Sequence, residues 1–275
     1  MSPKLSLIIP VFNEAEHLER FLVVVDSLEL GLAKELVIIN DGSTDASANI
    51  LSNFRFSSSV VLIDQTFNQG KGAAIRAGIQ KATGEFVGIQ DADFETEVKD
   101  ISNLLAPLLA GEADVVYGSR FQVAGHPTSG TLHFFGNKLL TTLSNALNGL
   151  SLTDMETCYK FFRAEVIKNI SLESRRFGFE PEVTAKIARL SLRVVELPVS
   201  YLPRKRFEGK KLNWKDGFAA LWHTVYFNVK ARLNPAGCFD DSLPERYFPE
   251  RRKWNWGPES GVKAGGQFDP VAGDK

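Results

Sequence analysis

The sequence predicts an α/β domain with a mostly parallel central sheet flanked by helices. Short apolar runs alternate with helical patterns from the N-terminus to about residue 120, as strand–helix–strand units with right-handed crossovers require. Turn-rich polar motifs follow those runs, at the strand ends where such sheets bind ligands. The 275 residues, 44% hydrophobic and 24% charged, suffice for a sizeable core.

Leu5–Val11 reads as a buried first strand, and Asn13-Glu14-Ala15-Glu16 as a helix start of capping-box type. Glu35–Ile39 is the second strand, closed by the turn residues Asn40-Asp41-Gly42-Ser43-Thr44-Asp45. Val60–Asp64 is the third, and Asn68-Gln69-Gly70-Lys71-Gly72 makes a tight turn into a helix ending near Ala82. Glu85–Gln90 and Asp114–Tyr117 are the fourth and fifth. Residues 133–148 pattern as an amphipathic helix, strand and helix signals continue through Phe179–Arg189, and Arg193–Tyr201 reads as another strand. Asn213–Leu233 is a further helix with Trp214, Phe218, Leu221, Trp222, Val225, Tyr226 and Val229 on one face, stopped by Asn234-Pro235. Both apolar stripes suit a membrane interface beside cations, but each helix taken alone reads as core-facing. Residues 236–275 lack a period and read as a weakly ordered tail, at least beyond Pro258.

A net charge of −1 gives no overall pull toward nucleic acid. Two cysteines, Cys158 and Cys238, form no metal spacing or disulfide framework and fit a reducing compartment. No apolar stretch approaches the ~20 residues that span a bilayer. The expected location is cytoplasmic, with at most peripheral contact with the membrane's cytoplasmic face.

In "GIQDADFETE", residues 88–97, Asp91 and Asp93 in an extended chain aim to one side. Facing carboxylates call for a cation, and hard dications take one or two of them plus substrate phosphate oxygens. Taken alone, such a pair reads instead as a solvated acidic loop capping the next helix. "NQGKG" lacks the phosphate-loop spacing and the third glycine of a dinucleotide fingerprint, leaving a tight turn with Lys71 near phosphate. Arg120, Lys138, Arg204, Lys205, Arg206, Lys210 and Lys211 form a basic constellation that suits a diphosphate site or a solvated face.

Eight blocks taken together resemble the family-2 glycosyltransferases of GT-A fold. They are "IIPVFNE", "IINDGSTD", "NQGKGAAIRAG", "DAD", "VYGSRF", "TDMETCYKFFR", "FGFEPEVTAKIA" and "EGKKLNWKDGF", in the family's order over roughly residues 4–230. Within the family the chain is similar to the dolichol-phosphate mannose synthase and bacterial polyprenyl-phosphate glycosyltransferase branch. The resemblance implies a single Rossmann-like GT-A domain over residues 1–233, with a nucleotide-binding half (1–118), an acceptor half (119–233) and a tail (234–275). It implies that Pro10, Phe12 and Glu14 line the base and ribose, Phe12 standing where tyrosine is frequent, and that Asp41 contacts the base. Asp91 and Asp93 would hold Mg²⁺ or Mn²⁺ against the donor diphosphate, with Glu95 as a third ligand. Arg120 would hold the acceptor phosphate, with Lys138 near the place of a second arginine. Arg204 and Lys210 or Lys211 lie in the basic loop that closes over the donor. Asp154 and Glu156 read as contacts to donor-sugar hydroxyls.

The implied reaction is inverting, metal-dependent transfer of a hexose from a GDP-mannose or UDP-glucose type donor to a polyprenyl or dolichyl phosphate. Asp93, Arg120 and Arg204 are its candidate catalytic residues. An ionised lipid phosphate needs orientation by cations, whereas a hydroxyl acceptor needs a base, for which Asp154 and Glu156 are the candidates. The alternatives are a glycan or other hydroxyl acceptor, and a non-catalytic sugar-nucleotide-binding protein.

Overall fold

The computed structural model describes residues 4–122, 131–203 and 214–248. Strands β1 (Lys4–Val11), β2 (Ala33–Asn40), β3 (Ser59–Asp64) and β4 (Phe86–Ile89) alternate with helices α1 (Ala15–Asp26), α2 (Ser47–Asn53) and α3 (Lys71–Lys81). Next come α4 (Ile101–Leu109), β5 (Val115–Ser119), α5 (Leu132–Asn148) and β6 (Lys160–Arg163). α6 (Ala164–Ile167), α7 (Phe179–Ile187), β7 (Val194–Pro198) and α8 (Trp214–Leu233) complete the set. The seven strands form one sheet in the order β3-β2-β1-β4-β6-β5-β7. β6 runs antiparallel to both neighbours, and every other pair is parallel.

The unbroken apolar runs follow from burial of both sheet faces. Leu5, Leu7, Ile9 and Val11 of β1 point into a core closed by α1, α2 and α4. Ile8, between them, points into the opposite core with α3, α7 and α8. β6 divides in the same way, Phe161 to one side and Phe162 to the other. Its insertion beside β4 depends on Gly88, where an added Cβ would lie 2.3 Å from the Phe161 ring.

Two sequence expectations are corrected. The tail is ordered at its start: Cys238, Phe239, Leu243 and Tyr247 are buried in the α3–α7–α8 core. Ile170 bridges Phe239, and Ser191 donates its N–H to the Tyr247 carbonyl at 2.8 Å. Residues 249–275 lie outside the described residues. The aromatic stripe of α8 also faces outward, with Phe218 69% and Trp222 65% exposed and Val225, Tyr226 and Val229 exposed beside them. The buried seam is Ala220, Thr224, Phe227, Asn228 and Ala231. Small residues let α8 approach its neighbours closely. Thr224 and Asn228 donate within the helix, to the Ala220 and Thr224 carbonyls, while Asn228 Oδ1 has no partner among the described residues. α5, which packs beside α8, also leaves Phe135 and Leu139 exposed. Among the described residues no helix is long and apolar enough to cross a membrane.

Candidate active site

The motifs after β1 and β2 are stitched together. Asn13, at φ 52°, donates its N–H to Ser43 Oγ at 3.0 Å and accepts from the Thr44 N–H at 2.7 Å. The Glu14 N–H donates to Ser47 Oγ and the Ala15 N–H to Asp45, both at 3.0 Å. Pro10, Phe12 and Glu14 are half-buried along this seam.

Asp41 is buried, and its two carboxylate oxygens accept the N–H groups of Gln69 and Gly70 at 2.7 and 2.8 Å. Burial pushes its carboxyl up, against those hydrogen bonds. These bonds lock the loop that carries Lys71. The other side of this loop rests on the chain before α7. Gly70 has φ 96°, and an added Cβ would lie 2.4 Å from the Arg175 carbonyl oxygen.

The loop delivers Lys71 to two carboxylates, Asp91 at 2.8 Å and Glu180 of α7 at 3.3 Å. Burial opposes the ammonium charge, but Asp91 and Glu180 more than offset it and raise the lysine pKa well above its ordinary value. Part of the positive charge that the acidic motif demands is thus internal. Sequence reasoning left Lys71 unattached to Asp91 and missed Glu180.

Asp91 and Asp93 do not lie in extended chain. They follow β4 in a turn where Asp93 accepts the Glu95 N–H at 3.0 Å and Phe94 takes φ 55°. Glu95 accepts the Tyr201 hydroxyl at 3.1 Å instead of joining the pair. Among the described residues no three His, Cys, Asp or Glu side chains gather to hold a metal. Asp91 and Asp93 still suit a hard dication. They are oxygen donors at a strand end that already attracts a cation, and such ions use one or two carboxylates with substrate phosphates.

Arg120, just past β5, is fixed by Asp154. Its Nε and Nη2 donate to the two Asp154 oxygens at 2.7 and 2.8 Å, and its N–H adds a third bond at 3.1 Å. Asp154 is 0% exposed, which corrects its assignment as a sugar contact: the carboxylate is committed to the guanidinium. Burial pushes its carboxyl up, yet Arg120 outweighs this and holds it below the usual range. The guanidinium lies over the rings of Phe121 and Tyr201, 5.4 and 5.2 Å from their centroids. Tyr201, overlooked in the sequence, thereby joins the arginine to the acidic turn, and Leu202 donates its N–H to the Glu95 carbonyl at 2.8 Å. Lys138 of α5 sits 5.0 Å from the centroid of the Phe121 ring, which Arg120 also contacts. Arg204, Lys210 and Lys211 lie outside the described residues.

Glu156, in the loop before β6, has Glu180, Lys160, Arg120 and Asp154 as charged neighbours, and burial followed by repulsion from Glu180 pushes its carboxyl up to about 8.

The family model "Glycosyl transferase family 2" matches residues 6–171. The dolichyl-phosphate beta-glucosyltransferase of Dictyostelium discoideum is 26% identical over 227 residues, 76% of this chain and 68% of the relative. The undecaprenyl-phosphate 4-deoxy-4-formamido-L-arabinose transferase of Shewanella sediminis is 32% identical over 211 residues, 74% of this chain and 61% of the relative. The chain thus spans about two thirds of the length of these curated relatives. Among solved structures, glucosyl-3-phosphoglycerate synthase of Mycobacterium tuberculosis, in complex with Mn²⁺, UDP and glucosyl-3-phosphoglycerate, superposes with a TM-score of 0.62 at 17% identity. That match covers 87% of this chain and 82% of the other, and establishes the shared GT-A fold. The stitched nucleotide-side motifs, the acidic turn after β4 and the matched model together make this chain a member of glycosyl transferase family 2, and so a glycosyltransferase.

Proposed function

We propose that this chain transfers a hexose, with inversion, from a nucleoside-diphosphate sugar of GDP-mannose or UDP-glucose type to a polyprenyl or dolichyl phosphate. The observation that carries the reading is Arg120, a guanidinium locked by a buried carboxylate and tied through Tyr201 to the acidic turn. A phosphate acceptor, with a second pKa near ~6, is already ionised at neutral pH and needs orientation. Arg120 and Lys138 supply that orientation. Asp154, the acid bonded to the arginine, is unsuited to deprotonating a hydroxyl because it is buried and ion-paired.

Asp91 and Asp93 are the residues that would hold Mg²⁺ or Mn²⁺, which when bound neutralises charge on the departing diphosphate. Lys71 holds Asp91 and stands ready to meet a phosphate. Pro10, Phe12 and Glu14 line the nucleoside, and Arg204 with Lys210 and Lys211 closes over the donor. The outward faces of α5 and α8 rest on the cytoplasmic leaflet, where aromatic side chains favour the interface. The relatives named for dolichyl and undecaprenyl phosphates support the acceptor class.

The test is product analysis with labelled GDP-mannose and UDP-glucose, Mn²⁺ or Mg²⁺, and either a polyprenyl phosphate or a sugar acceptor. The reading expects a lipid-linked, acid-labile product that disappears with chelator or in Asp93→Ala. Transfer to the sugar acceptor alone would refute it, and so would chelator-resistant turnover.

A further inference from the structure

The two halves of the site stand on strands that are not neighbours. The acidic turn follows β4 and Arg120 follows β5, and β6 lies between those strands in the sheet. At ~4.8 Å per strand spacing, the two strand ends are roughly 10 Å apart. Transfer from a donor at one to an acceptor at the other needs that separation held closely, because misplacement by about 1 Å can cost as much as ~10²-fold in rate.

One short segment crosses the gap. Past β7 the chain turns back over the strand ends, and residues 199–202 bond to both sides. Val199 donates its N–H to the Ser119 carbonyl at 3.0 Å, one residue before Arg120. Ser200 donates its N–H to Asp100 Oδ2 at 2.6 Å, Tyr201 bridges Thr96, and Leu202 donates to the Glu95 carbonyl at 2.8 Å. Gly118 admits the segment, since an added Cβ would lie 2.7 Å from Val199 Cγ1. Tyr201 touches both sides with its side chain. Its ring centroid is 5.2 Å from the Arg120 guanidinium, and its hydroxyl donates to Glu95 Oε2 at 3.1 Å.

The turn requires such a hold. Phe94, between Asp93 and Glu95, has φ 55°, a left-handed conformation that is costly for a bulky side chain. Strain of this kind persists only where the surroundings over-determine it. On the α1 side, Phe94 packs edge-on against Phe21 at 5.6 Å and lies 5.5 Å from the Arg20 guanidinium. On the other side, Tyr201 and Leu202 hold Glu95, whose own N–H donates to Asp93 at 3.0 Å. A shift of Glu95 therefore moves a metal-side carboxylate. Resting on the function proposed above, we propose that Tyr201 is a positioning residue for the transfer. Its hydroxyl, through Glu95, fixes the acidic turn at the reacting distance from the arginine that its ring supports.

The experiment is steady-state kinetics with saturating Mn²⁺, GDP-mannose or UDP-glucose as donor and farnesyl phosphate as acceptor, active sites being counted by titration with Mn²⁺ and GDP or UDP. Wild type, Tyr201→Phe, Glu95→Gln, Glu95→Ala and Tyr201→Phe/Glu95→Ala are compared. Tyr201→Phe keeps the ring beside the arginine. It is expected to lower kcat per active site by about 10- to 100-fold, with both KM values within about twofold of wild type. Glu95→Ala should match it, and the double variant should be no slower than either single. Glu95→Gln keeps an oxygen for the hydroxyl and should recover most of the rate. A second readout needs no turnover: the ³¹P relaxation of bound farnesyl phosphate caused by Mn²⁺ with GDP or UDP should weaken in Tyr201→Phe. Unchanged relaxation would overturn the proposal. A merely structural tyrosine would reduce the fraction of active sites and leave kcat per site unaltered, which would also overturn it. So would a raised KM at unchanged kcat, since the hydroxyl would then touch a substrate. Losses that multiply in the double variant, or Mn²⁺ affinity lowered in Glu95→Ala but not in Tyr201→Phe, would overturn the route through Glu95. No lipid-linked product from wild type would overturn the function proposed above. Lipid-linked product from wild type at a rate unaltered in Tyr201→Phe would overturn this inference alone.

Discussion

Replacing Lys71 with methionine tests whether the acidic turn is pre-neutralised by the chain itself. The ammonium lies 2.8 Å from Asp91, and the two side chains are 18% and 23% exposed. At an effective dielectric of ~20 the gross attraction is about 6 kcal/mol, which desolvation reduces to roughly 1–3 kcal/mol net. A dication reaching Asp91 must displace this ammonium or share the carboxylate with it. At ~1.4 kcal/mol per decade, Lys71→Met should therefore tighten Mn²⁺ binding in the absence of donor by about 10- to 100-fold. Nucleotide binding in the presence of Mn²⁺ should weaken, because the cation that meets a phosphate is gone. Glu180, 6% exposed, loses its partner, so the single variant should also unfold more easily, by roughly 3–5 kcal/mol. Lys71→Met/Glu180→Gln removes that burden and is the better background for the metal titration. The assay is electron paramagnetic resonance of free Mn²⁺, which reads the ion without turnover. Unchanged or weaker Mn²⁺ affinity in both variants would refute the competition and mean that Asp91 does not reach the metal.

The remaining predictions concern stability and surface. Glu35 is pushed up by burial, but bonds from Lys4, Ser6 and Thr83 outweigh this and hold it at about 2, below its ordinary 4.5. Its contribution, about 3 kcal/mol, is present above pH 4.5 and lost as pH falls toward 2; urea unfolding of wild type and Glu35→Gln should converge across that window, and parallel curves would refute it. Asp154→Asn strips the buried counter-ion from Arg120 and should cost roughly 3–5 kcal/mol, whereas Arg120→Met/Asp154→Leu should recover most of the loss in denaturant melts yet make no lipid-linked product. Trp222→Ser should change stability by less than about 0.5 kcal/mol while reducing sedimentation with anionic vesicles, whereas Phe227→Ala, on the buried seam, should cost roughly 3–5 kcal/mol.

Strands β1, β2, β4 and β5 were legible because a sheet buried on both faces demands uninterrupted apolar runs, and the edge strands β3 and β7 were legible although partly exposed. β6 was not, since two phenylalanines between Lys160 and Arg163 carry no period. The α8 stripe shows why periodicity alone misleads. It locates a face but not its direction, and here the inward seam is Ala220, Thr224, Phe227, Asn228 and Ala231. Hydropathy ranks Thr224 and Asn228 as exposed, whereas close packing and in-helix hydrogen bonds let them be buried. Phe239 and Tyr247 looked like tail residues because the surface they cover is assembled from distant elements, not from neighbours in sequence.

The site divides along a similar line. Motif positions were readable because strand ends fix them, but partners were not: Asp41 serves a loop 28 residues on, and Asp154 reaches back 34 to Arg120. Composition reveals that a carboxylate exists, and only its lone pairs reveal its task. Glu182, buried in α7, spends its oxygens on the N–H groups of Glu173 and Ser174 and on Lys186 one turn away. Glu35 is similarly consumed by the Thr83 N–H and the side chains of Lys4, Ser6 and Thr83. These two acids are structural, since a ligand would have to break bonds they already make. Glu156 keeps an oxygen without a partner, and the Asp91–Lys71–Glu180 chain rests on a flexible four-carbon ammonium that rearranges at low cost. The carboxylates left for chemistry are those whose bonds are missing or exchangeable.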